Sequence, residues 1–563
     1  MSTAPDAPSA GSPWSSTPAP IDARADATML HLRDGTRLAT DVYLPASQRR
    51  DLQTVLVRLP YDKCGRYTFI PAVAAYLNAH GFAVVAQDVR GKFRSEGERF
   101  PFVNEAADGH QSIDWIVAQP WSDGTVGMLG DSYYGFTQWA AVASGHPALR
   151  AIVPRVTGSR FMDMFSPDVV PKLPLYEWVV HTFTTFGMLD GDVLPTEPLA
   201  GLDSLPEYAA HMAALLHDLV RACGDGTLLR RSFPTGPPAP AMKLPALHMG
   251  GWWDNLQRSQ LDDWRWTGAS PAAAHQFLRM NATDHEDFEL REDGLPHEDH
   301  EVDDDALARY LPRMLDEPIR FLDHYLSGRP GRWRAPRVRY RVANSGWQIA
   351  DRWPTGDAGL VELHLTEGDR ALSSADGGAL CAATEGMATC VSWTHDPLDP
   401  VPHLVADEWS QLSGLPDEQV VHARDDVATF TGEAQDAPFD IVGPVEVALR
   451  VDADAPSTHV IARLLDVYPS GRARMVLEGA ESVSTMAGPA RVRVRLGDTA
   501  YRVRPGHRLR LAISSSCFPL YLVHPGNNED PWHVSSSRPA QQTLHLGGSD
   551  GAVLRLPIRG RLG

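Results

Sequence analysis

A change of pattern near Trp333 constrains the fold of this chain more than any other feature of its sequence. Before that point, apolar strand-like runs alternate with runs of helical spacing, as in Thr54–Leu59, Phe69–His80 and Phe82–Gln87. Such alternation is typical of an α/β fold, in which helices cover a mostly parallel sheet. After Trp333 only short strand-like segments remain, separated by Gly, Pro and Asp turns, which predicts an all-β second domain.

Inside the first part of the chain the alternation disappears between residues 156 and 241, where the apolar stretches have helical spacing. We therefore expect an α/β domain formed by residues 26–155 and 242–335, with a helical cap inserted at 156–241. Residues 336–563 are expected to form a β-sandwich. Residues 1–25 are rich in Ser, Pro and Ala and lack the pattern of a secretory signal, so they predict a disordered leader.

The charge of the chain excludes some partners. A formal net charge of −20 repels nucleic acid and anionic membranes, because both are bound first through Lys and Arg. No run of about 18 apolar residues is present, which predicts a chain that does not span a membrane. Five cysteines, an odd number without a C-x-x-C pair, indicate a reduced cytoplasmic protein. We expect a small-molecule substrate, and a homo-oligomer stays open.

The segment Gly130–Gly135, with the sequence GDSYYG, carries the clearest chemical signal. It follows the strand-like run Thr125–Leu129 and precedes a run compatible with a helix. A serine on such a sharp strand-to-helix turn exposes its hydroxyl, and the helix N-terminus favours developing negative charge. The second glycine stands three residues after Ser132, whereas the general pattern places it two after, so the motif alone also fits a plain turn. In its strand and helix context it predicts a nucleophilic serine in an α/β-hydrolase fold.

An acid and a base follow in the chain order that such a serine requires. Asp254 comes after the strand-like run Pro245–Met249, and His285 comes after the run Gln276–Met280. Both residues therefore lie in loops at the carboxyl ends of strands, the same edge as Ser132. In the expected mechanism His285 accepts the serine proton while Asp254 orients the imidazole and stabilises its charged form.

Two other histidines are poorer candidates for the base. His297 and His300 lie in the acidic run Asp293–Asp305, which is typical of a solvated surface. Their H-x-x-H spacing suits a metal, but no third ligand is placed near them in the sequence. We therefore expect neither a metal nor an organic cofactor.

Several separated motifs make the chain resemble the cocaine esterase family, which includes X-prolyl dipeptidyl-peptidases and α-amino acid ester hydrolases. The resemblance extends from about Thr28 to the C-terminus. One marker is the serine turn at Gly130–Gly135, which is called the elbow. The others are PYDK at Pro60–Lys63, QDVRG at Gln87–Gly91, SEG at Ser95–Gly97, GWWD at Gly251–Asp254 and SSSCFP at Ser514–Pro519. The elbow of that family reads G-x-S-Y-x-G, so the resemblance accounts for the displaced glycine.

The resemblance implies roles for particular residues. It assigns Ser132, Asp254 and His285 to a catalytic triad, and the Tyr61 hydroxyl and the Tyr133 backbone N–H to an oxyanion hole. Tyr61 also follows a strand-like run, where α/β-hydrolases usually place their first oxyanion donor. The implied architecture is a catalytic domain with a helical cap insertion and a C-terminal jelly roll whose loops help to close the pocket. The sequence NATD before His285 differs from the family's Gly-Pro-Trp-like approach, so the local pocket wall is expected to differ.

The resemblance also bears on the substrate. Family members that bind a free α-amine carry carboxylates two and three residues after the triad aspartate, where this chain has Leu256 and Gln257. This argues against amino-ester or dipeptide specificity, although Asp163 or Asp168 in the cap offers a substitute carboxylate. Aromatic and aliphatic side chains near the site fit two interpretations equally well: the lining of an apolar pocket, or plain core packing. The candidates are Phe161, Phe165, Trp253, Leu256 and, at the rim, Trp409.

We therefore expect a serine hydrolase that cleaves an ester or amide bond of a small molecule through an acyl-enzyme on Ser132. One alternative is an acyltransferase that passes the same acyl group to an alcohol or amine. Another is an X-Pro or aminoacyl peptidase. A third is a non-catalytic protein that uses the jelly roll to bind a ligand, and the intact Ser/Asp/His set argues against it.

Overall fold

The computed structural model describes residues 17–189, 198–199, 207–290, 304–328, 333–372, 376–382, 388–547 and 551–562. The first part of the chain forms a ten-stranded sheet. Its strands are β1 (Asp26–His31), β2 (Arg37–Tyr43), β3 (Leu52–Leu59), β4 (Ala83–Asp88), β5 (Ser122–Asp131), β6 (Leu149–Arg155), β7 (Ala246–Trp253), β8 (Gln276–Asp284), β9 (Val338–Arg341) and β10 (Trp347–Ala350).

The spatial order of this sheet is β1-β2-β4-β3-β5-β6-β7-β8-β9-β10. Strands from β4 to β9 in that order pair in parallel, while β1, β2 and β10 are antiparallel additions at the two edges. Parallel strands end at one edge of a sheet, so the segments that follow β3, β5, β7 and β8 meet there. These segments carry Tyr61, Ser132, Asp254 and His285.

Helices cover both faces of the sheet. Along β3, the side chain of Leu56 joins one apolar cluster while Val55 and Val57 join another, because successive side chains of a strand point to opposite faces. The first cluster contains residues of α2 (Glu105–Val117) and α3 (Ser132–Ser144). The second contains residues of α1 (Ile70–Ala79) and α8 (Asp304–Ser327). A parallel sheet buried on both faces explains why its strands read as continuous apolar runs.

Between β6 and β7 the described residues are mainly helical. They form the 3₁₀ helix Phe161–Phe165, α4 (Leu173–Phe183), α5 (Glu207–Gly224) and α6 (Thr227–Ser232). We call this the cap segment. The chain then returns to the sheet, where β7 is followed by α7 (Gln257–Thr267).

Among the described residues of the C-terminal part, the regular structure is strand apart from three short 3₁₀ helices. Its eleven strands are β11 (Gly359–Thr366), β12 (Gly378–Cys381), β13 (Thr389–His395), β14 (Ala428–Thr431), β15 (Phe439–Ala453), β16 (Ser457–Val467), β17 (Ala473–Ser484), β18 (Ala490–Val503), β19 (Arg508–Ser514), β20 (Ala540–Leu546) and β21 (Val553–Arg559). They are hydrogen-bonded in the order β13-β20-β15-β21-β11-β12-β14-β19-β16-β17, and β18 pairs with β15. Buried side chains alternate with exposed ones along β13 and with partly exposed ones along β21, as expected for a sheet with one face on a core.

The two sheets share one apolar core around Asp498. That core includes Trp252 and Trp264 of the first part and most buried side chains of the second. Asp498, which is 5 % exposed, accepts hydrogen bonds from Arg265 at 2.6 Å and from the Trp353 indole at 2.9 Å. Gln257 donates to the Asp498 carbonyl at 2.6 Å and accepts from its N–H at 3.2 Å. The β-rich domain is therefore attached directly to the helix that follows the Asp254 loop.

The predicted fold class, an α/β-hydrolase domain followed by an all-β domain, is confirmed. Among the described residues, no helix combines the length and the apolar character that crossing a membrane requires. His297 and His300 lie outside the described residues, as does most of the predicted disordered leader.

Candidate active site

Ser132 occupies a strained turn between β5 and α3. It is the first residue of α3 and has φ = 51°, in the left-handed region that L-residues other than Gly, Asn and Asp rarely adopt. A Cβ on Gly130 would lie 2.2 Å from the Tyr134 ring, and one on Gly135 would lie 2.4 Å from Cγ2 of Thr157. Both glycines are therefore required by close packing, which explains why the second one stands three residues after the serine.

A buried network fixes the first turn of α3. The Tyr133 hydroxyl accepts from the Phe102 N–H at 2.7 Å and donates to Glu105 at 3.0 Å. Glu105 in turn pairs with the fully buried Arg58 at 2.8 Å. Because the first N–H groups of a helix have no intrahelical acceptor, the N–H of Tyr133 remains a donor at the end of a fixed backbone.

Asp254 and His285 meet across the loops that follow β7 and β8. The Nδ1 atom of His285 donates to Oδ1 of Asp254 at 2.7 Å, and the N–H of Leu256 donates to the same oxygen at 3.1 Å. The His285 side chain is 7 % exposed and that of Asp254 is fully buried. With its proton on Nδ1, the imidazole presents Nε2 as an acceptor, the form that a general base needs.

The electrostatic surroundings of His285 favour its charged form. Burial lowers the pKa of His285, but the charge of Asp254 and the hydrogen bond to it outweigh burial, and Glu286 and Asp131 act in the same direction. The pKa of His285 is therefore raised above its ordinary value. An imidazolium formed during a reaction would be stabilised here.

Tyr61 lies two residues after β3 and contacts the serine. Its hydroxyl is hydrogen-bonded to the Ser132 side chain and accepts from Nε1 of Trp178 at 2.9 Å. Burial raises the pKa of Tyr61 well above its ordinary value, more than these two hydrogen bonds lower it. The phenol therefore keeps its proton at neutral pH and remains a hydrogen-bond donor beside Ser132.

Trp178 is the residue of this site that the sequence did not reveal. It lies on α4 of the cap segment, 117 positions from Tyr61, and belongs to no motif. Its ring contacts those of Tyr133, Phe161 and Phe183 at centroid distances of 5.8 Å each. Only the fold brings this helix over the two tyrosines, so a tryptophan in a helical insertion gives no signal in isolation.

The predicted lining residues divide between two places. Phe161, Phe165 and Leu256 are buried in one apolar cluster with Tyr133, and Trp409 packs against it. The Trp409 ring lies edge-on to His285 with 4.8 Å between the ring centroids.

Trp253 lies apart from that cluster. It belongs to the core shared with the β-rich domain, where its ring contacts Tyr501 at 6.3 Å. The Gln257 amide is hydrogen-bonded to the backbone of Asp498, and the Asp163 carboxylate pairs with Arg160 at 2.7 Å. At the two positions where relatives are expected to carry amine-binding carboxylates, this chain therefore has the buried Leu256 and Gln257, whose amide is already hydrogen-bonded to Asp498.

A segment of the β-rich domain, residues 408–412, holds the loops of Asp254 and His285 together. We call it the bridging segment. Four hydrogen bonds attach it to those loops: Asn255 to the Glu408 carbonyl at 2.7 Å, the Glu286 N–H to the Trp409 carbonyl at 3.1 Å, Gln411 to the Trp253 carbonyl at 2.6 Å, and the Leu412 N–H to Asp284 at 2.9 Å. The acid and the base are thus fixed relative to each other by a second domain.

Two clusters of metal-ligand residue types occur in the described part of the chain, and both are internally satisfied. They are His110, Asp114 and His146, and His403, Glu478 and Cys517. In the first, Nδ1 of His146 accepts from the Ala148 N–H, so its proton is on Nε2 towards Asp114. In the second, Arg463 hydrogen-bonds all three side chains. Neither cluster contains Ser132, Asp254 or His285.

Comparison with known proteins gives a consistent picture. Residues 34–285 match the family model of the X-Pro dipeptidyl-peptidase (S15 family), and residues 331–554 match that of the X-Pro dipeptidyl-peptidase C-terminal non-catalytic domain. The chain is 30 % identical to a cocaine esterase of Rhodococcus sp. (strain MB1 Bresler) over 543 residues, which cover 88 % of this chain and 91 % of that protein.

Two solved structures share the whole fold. An α-amino acid ester hydrolase aligns with a TM-score of 0.78 at 23 % identity, covering 99 % of this chain and 100 % of the other. An aminopeptidase from a marine sediment archaeon, Thaumarchaeota archaeon, aligns with a TM-score of 0.74 at 20 % identity, covering 99 % of both chains. These likenesses extend over both sheets and the cap segment between β6 and β7.

Proposed function

The chain belongs to the family of serine hydrolases that contains the cocaine esterase and the X-Pro dipeptidyl-peptidases, and on this premise we propose that it cleaves neutral carboxylic esters with a Ser132–His285–Asp254 triad. One observation carries the proposal. Ser132, on a strained turn, is hydrogen-bonded to a protonated Tyr61, at the edge of the sheet where Asp254 orients His285.

The proposed reaction begins with attack of the Ser132 Oγ on the ester carbonyl carbon while Nε2 of His285 takes the serine proton. The carbonyl oxygen becomes an oxyanion that accepts from the Tyr61 hydroxyl and the Tyr133 N–H. The C–O bond to the leaving alcohol then breaks as His285 returns the proton to it. Water, deprotonated by His285, then attacks the acyl carbon. The bond from that carbon to the Ser132 oxygen breaks as His285 returns the proton to this oxygen, which restores Ser132 and releases the acid.

A neutral acyl group is the substrate class that we favour. Support comes from buried Leu256 and from Gln257, whose amide is bonded to Asp498, at the two positions where an α-amine would need carboxylates. Trp409, edge-on to His285, and the cluster of Phe161 and Phe165 offer apolar surface near the serine. We place the protein in a reducing compartment, the cytoplasm, a proposal supported by five free cysteines.

Labelling with a fluorophosphonate and turnover of p-nitrophenyl esters test the triad together. Ser132→Ala should lose labelling and lower kcat by several orders of magnitude. Ser122→Ala, at the opposite end of the same strand β5, is the matched control and should leave both unchanged. Normal turnover by Ser132→Ala would refute the assignment.

A substrate panel distinguishes the remaining functions. We expect higher kcat/KM for neutral acyl esters than for aminoacyl esters or X-Pro p-nitroanilides. A preference for X-Pro substrates would establish a peptidase instead. Product analysis with and without an added alcohol should give the free acid in both cases, whereas an acyltransferase would give mostly the new ester.

A further inference from the structure

Lys92 is a fully buried lysine that the proposed mechanism does not use. It stands directly after the QDVRG motif, in the segment that follows β4. Its ammonium donates to three backbone carbonyls, those of Thr182, Thr185 and Gly187, of which the Thr185 contact measures 2.9 Å. An ammonium has three N–H donors, so these three acceptors satisfy it completely.

The three carbonyls belong to the end of α4. Thr182 lies in the last turn of that helix, and Thr185 and Gly187 lie two and four residues beyond its last residue, Phe183. The last carbonyls of a helix lack intrahelical donors and carry partial negative charge, which a lysine complements. Burial lowers the pKa of Lys92 to about 7, with Arg99 acting in the same direction, so placing this group here is costly. Plain packing would be served by an apolar side chain.

The other end of α4 is attached to the β-rich domain. The Leu173 N–H donates to the Leu520 carbonyl at 2.8 Å, and Lys172 forms an isolated bridge with Tyr521. Trp178 lies midway along the helix, where its indole N–H donates to the Tyr61 hydroxyl. Fixing both ends of a helix of 11 residues fixes the height of this tryptophan over the site.

The bond from Trp178 sets the direction of the Tyr61 proton. An indole can only donate, so the Tyr61 hydroxyl uses a lone pair on Trp178 and cannot aim its own proton there. Its other named partner is the Ser132 side chain. Accepting one hydrogen bond also polarises the O–H for donation.

Resting on the proposed function, we infer that Lys92 is a positioning residue of the oxyanion hole. It holds the C-terminal end of α4 so that Trp178 orients the hydroxyl of Tyr61 towards the developing oxyanion. Lys92 itself does not contact the substrate in this scheme. The cap segment thus takes part in transition-state stabilisation as well as covering the site.

Steady-state kinetics with a neutral p-nitrophenyl ester give the first test. Lys92→Met keeps the length of the side chain and removes its donors, and it should lower kcat about ten-fold with little change in KM, as expected for a contact strengthened only in the transition state. Lys92→Arg should recover much of kcat because it donates to the same carbonyls. Lys243→Met, at an exposed lysine after α6, is the matched control and should behave as the parent protein.

A double-mutant cycle separates this role from a structural one. In a Tyr61→Phe background the oxyanion donor is already absent, so adding Lys92→Met should lower kcat no further. The same non-additivity should hold with Trp178→Phe. If Lys92→Met causes the same ten-fold loss in both backgrounds as in the parent, the inference is overturned.

The test can still be made if Lys92→Met folds poorly. Lys92→Gln retains one donor group and can replace it in the cycle, with thermal unfolding measured for every variant. If Tyr61→Phe and Ser132→Ala leave turnover unchanged, the proposed function itself fails. If those two abolish turnover while the Lys92 effects are additive, only the role of Lys92 fails.

Discussion

At the scale of single residues, the displaced glycine of the elbow has a packing explanation. Gly135 approaches Thr157 so closely that an added Cβ would lie 2.4 Å from Cγ2. The spacing that weakened the general motif is therefore a requirement of the contact between α3 and the segment after β6. The strained turn of Ser132 is held in place by two glycines that have different neighbours.

Gly135→Ala should destabilise the protein by roughly 1–3 kcal/mol, the usual cost of forcing an extra methyl into a packed interior. It should also lower ester turnover, because the clash moves the first turn of α3. Adding Thr157→Gly to this variant removes the side chain with which the new methyl group clashes. The double variant should recover most of the stability and most of the ester turnover. Chemical denaturation and kcat measure the effects, and a fully stable, fully active single variant would contradict this account.

The acid limb of the kcat/KM profile should report His285. Because Asp254 raises the pKa of His285, the limb should have its midpoint above pH 6.5, and activity should fall as pH decreases through it. Glu286→Gln removes a neighbouring negative charge that favours the imidazolium, so the midpoint should move to lower pH with the plateau nearly unchanged. Glu362→Gln, on the exposed part of β11, is the control. A midpoint that does not move would mean that another group limits the reaction.

At the scale of elements, the bridging segment 408–412 links the loops that carry Asp254 and His285. Its four hydrogen bonds join it to residues on both sides of the acid–base pair. Trp409 within it lies against His285. The geometry of the pair therefore depends on a loop of the other domain.

Gln411→Ala removes one of these bonds, the 2.6 Å contact with the Trp253 carbonyl, at a distance from the reacting atoms. We expect kcat/KM to fall about five-fold, the effect of one hydrogen bond worth about 1 kcal/mol. Gln541→Ala is the matched control, because that glutamine bonds to Thr394 within the β-rich domain. Equal effects of the two substitutions would show that the segment does not position the pair.

The features that could be predicted from the sequence are those set by strands and local motifs. The alternating pattern and the break near Trp333 predict the α/β class and the second domain. A strand buried on both faces has a continuous apolar run, whereas a strand buried on one face alternates apolar and polar residues. The sequence predicts roles for Ser132, Asp254 and His285 because each follows a strand-like run in the required chain order, and the family resemblance adds Tyr61 to these predictions. The sequence gives no signal for Trp178, Lys92 or the bridging segment, because their partners are distant in the chain and only tertiary packing brings them together.

At the scale of the whole molecule, Asp498 connects the two sheets. It is buried between Arg265 and Trp353, and its backbone bonds to Gln257 on α7. A buried carboxylate with a charged partner and an indole donor gives the interface a fixed register. The two domains are therefore expected to unfold as one unit.

Asp498→Ala should lower the free energy of unfolding by roughly 1–3 kcal/mol, because it leaves the buried Trp353 indole without its acceptor and removes one of the two carboxylates that pair with Arg265, the other being Asp262. Asp498→Asn keeps an acceptor for the Trp353 indole and should cost less. Urea unfolding followed by tryptophan fluorescence measures both, and separate transitions for the two domains should appear first in the alanine variant. Unchanged stability would show that Asp498 does not couple the sheets.

We expect the bridging segment also to affect when, during synthesis, the protein becomes active. Domains tend to fold in the order in which they leave the ribosome, so the ten-stranded sheet forms before residue 408 has been translated. At that stage the loops of Asp254 and His285 lack the segment that fixes them. On the proposed function, we therefore expect a nascent chain to hold Ser132 beside an unfixed Asp254–His285 pair, and hydrolysis to reach its full rate only after the β-rich domain has docked.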